Sequence, residues 1–343
     1  MAAVVPPTAR SRSRSKTRSE PTNHSNPEPP ADKLVEVLIQ LLEAGSTPWR
    51  REWDSTGGGH HVNLLTGHRY QGANPILLCL GMHLRGSGLP YWCGFAEARA
   101  QGIFPRKGSQ GVRILRPQLN RRSVAGRSGN PDTLDRTSAS NTADGTRAER
   151  TWVSFRPVVV FNAGDLDGEG LGELIAQRQR EAGMLARPEP ERLAAAESLL
   201  GSWPVPVGFG GERAFYAPEI DRIQLPERQA FRSAAGFYAT WAHEAIHSTG
   251  HASRLNRDLS GRCGSSAYAR EELVAELGSV LLGDRLEIGS ALENHAAYLG
   301  HWIELLRQSP QVLYQVLGEA RQAVELVVGT GGAALGERQT PPR

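Results

Sequence analysis

Two histidines four residues apart, with a glutamate beside the first, are the residues of this chain best suited to chemistry. Residues 242–251 read A-H-E-A-I-H-S-T-G-H. On a helix, His243 and His247 project from one face, one turn apart. Two neutral imidazole nitrogens can then reach one Zn2+ at about 2.0–2.1 Å. Zinc held there would polarise a scissile carbonyl and lower the pKa of a water towards about 7. Glu244 is positioned to take that water's proton. The pattern is H-E-x-x-H.

Paired histidines on a helix can equally be packing or capping residues, so the surroundings matter. Residues 230–241 carry Phe231, Ala234, Phe237, Tyr238 and Trp241 at helical spacing, which places the motif inside an amphipathic helix. Gly250 is a suitable stop. Upstream, residues 193–200 read as a helix with an Ala/Leu face, residues 208–211 as a turn, and residues 214–226 as two short strands around a turn. The edge of such a hairpin can receive an extended peptide by backbone pairing beside the metal.

Catalytic zinc takes a third protein ligand and keeps its fourth position open. The motif's own continuation does not supply one. Gly250 fits an extended H-x-x-G-x-x-H pattern, but Ser253 stands at its last histidine, and no methionine follows Met184. The candidates lie in residues 268–285, Y-A-R-E-E-L-V-A-E-L-G-S-V-L-L-G-D-R, a helix with Leu273, Leu277, Val280 and Leu281 facing inward. Its carboxylates are Glu271, Glu272 and Glu276. Periodicity points to Glu276, which flanks the apolar face most closely. Glu272 and Glu276 share a face, so one can ligate while the other orients a ligand histidine. Glu271 reads as a solvated acidic position. Two more helices, residues 294–306 and 310–328, follow; His295 and His301 lie in the first without ligand spacing.

With 343 residues, 39% hydrophobic and 22% charged, the chain can build about two cores and is too polar for a membrane protein. No apolar run reaches about 18 residues. Three scattered cysteines (Cys79, Cys93, Cys263) lack C-x-x-C spacing, and no apolar secretory segment opens the chain, so a reduced, cytoplasmic setting is expected. The net charge is only +3, so contact with nucleic acid must rest on local clusters.

Residues 1–31 form a Ser/Arg- and Pro-rich tail, with Arg10, Arg12, Arg14, Lys16 and Arg18, and are expected to be disordered. Asp32 is a candidate N-cap for a helix bearing Leu34, Val37, Leu38, Leu41 and Leu42. Residues 48–53 read P-W-R-R-E-W. A helix over 75–84, a basic Gly-rich turn at 107–111 and a strand at 112–115 follow. Residues 117–150 read as a disordered insertion, after which strand 152–161 is expected to return as a hairpin partner of 112–115. Bases stack on aromatic faces while Arg and Lys follow phosphates. Trp49, Trp53, Tyr70 and Trp92, with Arg50, Arg51, Arg69, Lys107 and Arg113, supply that inventory, although each aromatic can equally be core. Residues 166–187 read as a Gly-rich, charged linker with a short helical piece, 188–328 as a second domain, and 329–343 as a disordered tail.

Taken together, H-E-A-I-H-S-T-G-H, S-R-L-N-R, Y-A-R-E-E-L-V-A-E-L-G and E-N-H-A-A-Y resemble the metallopeptidase domain of the ArdC-like antirestriction proteins. P-W-R-R-E-W, N-L-L-T-G-H-R-Y-Q-G-A-N (from Asn63 to Asn74) and K-G-S-Q-G resemble that family's single-stranded-DNA-binding domain, which is shared with TraC-type primases. The likeness spans residues 32–328 apart from the insertion. It implies an α+β chain: an N-terminal α+β ssDNA-binding domain (32–165) and a C-terminal zincin-like domain. It further implies His243 and His247 as zinc ligands, Glu244 as general base, Glu272 as third ligand and Glu276 as the residue supporting it. The leading expectation is a cytosolic, plasmid- or phage-associated protein that binds single-stranded DNA, helps incoming DNA escape host restriction and carries a zinc peptidase domain. The alternative is a protein that coats DNA and keeps the metal site only as structure. No acidic pair for nucleotidyl transfer supports a polymerase role.

Overall fold

A computed structural model describes residues 30–47, 49, 60–123, 149–185, 187–262, 264–289 and 296–337. Helix α1 (Pro30–Glu43) buries Val35, Leu38 and Leu42. After it, β1 (Val62–Asn63) leads to α2 (Asn74–His83), which has Pro75 in its first turn and buries every residue from Asn74 to Gly81. A helix apolar all round must be covered on all sides. Its Ile76, Leu77 and Leu80 face the C-terminal half, while Leu78 packs with Trp92, Val112, Ile114 and Val160.

Then come β2 (Tyr91–Gly94), α3 (Phe95–Ala100), β3 (Phe104–Pro105), β4 (Val112–Ser123), β5 (Glu149–Asn162) and β6 (Leu166–Asp167). The main sheet has the order β1-β2-β5-β4; β1 and β2 are parallel and the other pairs antiparallel. Strands β3 and β6 pair separately. The hairpin between 112–115 and the returning strand exists, but its ladder is longer than expected. It runs from Val112 opposite Val160 to Ser123 opposite Glu149, so 117–123 and 149–150 belong to strands. The short helical piece expected in the linker is α4 (Leu171–Leu185), a full 15 residues, whose Leu171, Leu174 and Ile175 pack on the core of the first domain.

The C-terminal half begins with α5 (Glu189–Gly201) and a three-stranded sheet of β7 (Val207–Phe209), β8 (Phe215–Ala217) and β9 (Arg222–Leu225) in the order β7-β9-β8. The expected turn at 208–211 therefore starts in a strand. Helices α6 (Ala234–Thr249), α7 (Ser266–Leu286), α8 (Ala296–Gln308) and α9 (Val312–Glu337) complete it. Ser233 caps α6 by accepting from Gly236 N at 3.0 Å, so Phe231 precedes the helix rather than lying in it. Ser265 caps α7 through Tyr268 N at 3.2 Å. Helix α9 continues through 329–337, where a disordered tail was expected.

One core joins α5–α9 and their sheet to α1, Trp49 and α2. The N-terminal helix thus packs on the C-terminal half, chiefly on α8, across the boundary drawn from sequence. Glycine at 278 lets α7 approach α6: a Cβ there would lie 2.7 Å from Ile246 Cγ2. That close packing brings the carboxylates of α7 up to the histidines of α6.

Candidate metal centre and catalytic cleft

Helix α6 points His243 and His247 the same way, with Nε2 atoms 3.1 Å apart. Across the interface, Glu272 of α7 sets Oε2 3.7 Å from His243 Nε2 and Oε1 3.7 Å from His247 Nε2. These three side chains each offer a ligand atom within 4.8 Å of the others, the only such trio among the described residues. Ligand atoms about 2.0–2.1 Å from one tetrahedral ion lie roughly 3.3 Å apart. The observed separations bracket that value, so the donor set fits a divalent ion with one corner open. The corner faces a cavity of about 680 Å³ bordered by Phe215 and Tyr216 of β8 and by Thr240, Glu244 and Tyr268.

The electrostatics follow from burial and from the shared charges. Burial disfavours ionised Glu272, yet a hydrogen bond to His243, the nearby His247 and a bond from Tyr268 overcome it and hold the carboxyl at about 2. Burial also opposes protonation of His247, but its bond to Glu271 and the fields of Glu272, Glu271 and Glu244 raise it to about 9. Glu244 is pushed up, first by burial and against the pull of both histidines. A buried carboxylate with a raised pKa suits a group that accepts a proton and later returns it.

Glu271 does not sit on a solvated face. It is buried, and its Oε1 lies 3.1 Å from His247 Nδ1. Arg257 holds the same carboxylate with Nε and Nη2, each at 2.8 Å. Its other bonds go to Thr249 Oγ1 and the Ile246 carbonyl. This carboxylate–histidine pair fixes the ring so that Nε2 is left for an ion. Glu276, expected in that supporting role, is turned elsewhere: its Oε1 accepts from Trp49 Nε1 at 3.0 Å, deep in the core. Sequence reasoning missed Arg257 and Arg254. Arg254 ties the loop after α6 to the β8–β9 turn through Asp221, with a second bond to the Ser248 carbonyl at 2.7 Å. The S-R-L-N-R run was the only signal. His251 bonds Ser253 and stays outside the trio, and His301 is exposed. His295 lies outside the described residues.

The residues expected to touch DNA divide differently. Trp49 is 2% exposed, packs near Trp302 and bonds Glu276, and Trp92 is 0% exposed with Nε1 donating to His61. Neither offers a free face for a base, so both are corrected to core. Asn63 caps the turn at Leu65 and Thr66, and Asn74 pairs with both backbone groups of Leu115, so both are structural. Tyr70 packs on the Trp92 cluster. Arg69 contacts His60, Asp284 and Glu287. Lys107 and Arg113 are exposed. Arg50, Arg51 and Trp53 lie outside the described residues.

Residues 29–161 match the family model for the N-terminal domain of anti-restriction factor ArdC, and residues 194–317 that for a zincin-like metallopeptidase. An uncharacterized protein, y4eC, of Sinorhizobium fredii is 30% identical over 311 residues, covering 89% of this chain and 94% of its own. The chain belongs to the ArdC-like antirestriction family. Crystal structures of the antirestriction ArdC protein from the R388 plasmid, metal-free and Mn(II)-bound, are 26% identical with a TM-score of 0.59. They cover 88% of this chain and 98% and 97% of their own. A DNA primase TraC of Escherichia coli is 34% identical over 318 residues, but this ArdC-like chain spans only 28% of its length, and 20% of a second TraC. The family has a two-domain α+β architecture with a zincin-like metallopeptidase domain, and no described helix is long and apolar enough to cross a membrane.

Proposed function

We propose that this ArdC-like chain is a single-stranded-DNA-binding antirestriction protein whose C-terminal domain is a zinc-dependent peptidase acting in the cytoplasm. The observation that carries the catalytic half is Glu244, buried beside the His243–His247–Glu272 trio and lining its cavity. Two imidazoles and a carboxylate suit zinc, which outcompetes manganese at such N/O sites. Bound there, zinc would polarise a peptide carbonyl and make a water acidic enough to ionise near neutral pH.

The chain's own groups do the rest. Strand β8 is a sheet edge on the cavity, so an extended peptide can pair with it and present its carbonyl to the open corner. Glu244 takes a proton from water as the water attacks, then delivers that proton to the departing amine. Arg257 and Glu271 keep His247 in the tautomer that leaves Nε2 free.

Support for DNA contact comes from the β4–β5 ribbon. Arg116 stands directly opposite Arg156, and Arg113 and Lys107 are also exposed. Like charges facing across a ladder repel, and nucleic-acid phosphates relieve that repulsion.

The test pairs the two halves. The zinc-loaded chain is incubated with an unfolded protein substrate, with and without single-stranded DNA, beside Glu244→Gln. Cleavage lost in the variant, with metal content and DNA affinity retained, supports the peptidase. If the wild type cleaves nothing and Glu244→Gln retains antirestriction, the DNA-coating alternative stands instead.

A further inference from the structure

The β7–β9–β8 sheet has two edges, and only β8 borders the metal cleft. The other edge, β7, borders a second cavity of about 730 Å³, lined by Leu200, Trp203, Pro206, Phe209, Arg228 and Trp241 among others. Two tryptophans with unlike bonding line it. Trp203 Nε1 donates to Ser248 Oγ at 2.8 Å, whereas Trp241, 4% exposed, has no partner for Nε1 among the described residues. A buried N–H without an acceptor costs stability until one arrives. Phe209 is 46% exposed, with its ring edge-on to Trp241 at 6.2 Å between centroids.

The strand beside this cavity is open for pairing. Ile223 N donates to the Pro206 carbonyl, and Gly210 N to that of Leu225, so Pro206, Gly208 and Gly210 turn their backbone groups towards β9. By alternation, the N–H and C=O of Val207 and Phe209 point outward. Strand β7 is the outer strand of this sheet, so no neighbouring strand among the described residues pairs with that side. Four polar groups in strand register are what an extended polypeptide satisfies; a compact small molecule cannot meet that spacing. At the rim, Arg228 is already engaged by Glu197 and Tyr238, while exposed Glu227 has no ion pair among the described residues.

We infer that β7 and its cavity form a second peptide-binding site, distinct from the catalytic cleft, for an extended segment that pairs with Val207 and Phe209. It inserts a prolyl or aliphatic residue over Trp241, offers a carbonyl to Trp241 Nε1, and carries a basic neighbour towards Glu227. The site does not depend on hydrolysis: an inert metal centre would leave it intact.

The test uses the full-length, zinc-loaded chain and a panel of blocked heptapeptides with a central Pro, Val or Leu, each made with Lys or Glu alongside. Binding is read from the Trp241 indole N–H resonance, assigned by its loss in Trp241→Phe. Lys-containing members are expected to shift that resonance, and calorimetric titration, which needs no indole signal, is expected to show binding to Trp241→Phe weakened roughly three- to tenfold. Val207→Pro, which removes an outward N–H, and backbone N-methylation of the peptide are each expected to abolish it, with metal content unchanged. The inference is overturned if no peptide moves the resonance at millimolar concentration. It is equally overturned if N-methylated and Glu-containing peptides bind as well as the Lys-containing parents.

Discussion

Glu271→Gln is the substitution that separates the observed support of the metal site from the one the family resemblance implied, Glu276. The carboxylate makes three bonds, one to His247 Nδ1 at 3.1 Å and two to Arg257 at 2.8 Å. The amide keeps the shape and can still accept from His247, but it removes the charge that strengthens the ring as a donor. Losing such a partner typically weakens metal binding 10–100-fold, or about 1.4–2.7 kcal/mol. It also leaves the Arg257 guanidinium, 7% exposed, without its counter-ion. Breaking a buried pair outright costs about 3–5 kcal/mol; Gln should cost less because one bond to Arg257 can survive. Glu276→Gln is the control. It disturbs the Trp49 bond and should lower stability while leaving metal affinity within a few-fold. Zinc competition against a chromophoric chelator gives the affinities, and urea unfolding of the metal-free proteins gives the stabilities. Equal zinc affinity for Glu271→Gln and wild type, or a larger loss for Glu276→Gln, would refute the assignment.

Three other outcomes are expected. Trp49→Ala should destabilise the fold by about 3–5 kcal/mol with DNA affinity unchanged in the folded fraction, checked by unfolding and by titration with oligonucleotide. Replacing Arg113, Arg116 and Arg156 by Ala should flatten the salt dependence of single-strand binding by about 0.7 for each phosphate no longer neutralised; an unchanged slope would move the interface off the ribbon. Because His247 is raised to about 9 without metal, zinc must displace its proton at neutral pH. Apparent zinc affinity should then fall about tenfold per pH unit below 9, measured by the same competition; a flat profile would contradict it. The same group stabilises the metal-free protein below its ordinary pKa, and that contribution is lost as pH rises through 9.

What could be read from sequence was what local pattern encodes. His243, Glu244 and His247 sit on one helix, so spacing alone brings them together. The choice among Glu271, Glu272 and Glu276 depended on how α7 is rotated against α6, which is set by the close contact of Gly278 with Ile246. Inward-facing periodicity could not reveal it, because α7 is buried nearly all round and has no single apolar face. Trp49 was misread for a similar reason. Its arginine neighbours suggest an exposed strip, but its burial comes from partners more than two hundred residues away, Glu276 and Trp302. Arg257 was marked only by its place in the S-R-L-N-R run, because an arginine in a loop looks the same whether it faces solvent or a buried carboxylate.

The most direct test is zinc K-edge absorption spectroscopy on the zinc-loaded protein beside Glu272→Ala. Two imidazole nitrogens and carboxylate or water oxygen at about 2.0–2.1 Å are expected in the wild type, with one protein oxygen fewer and zinc content reduced in the variant. A protein that takes up no zinc, or one whose zinc environment is identical with and without the Glu272 carboxylate, would contradict the metal centre.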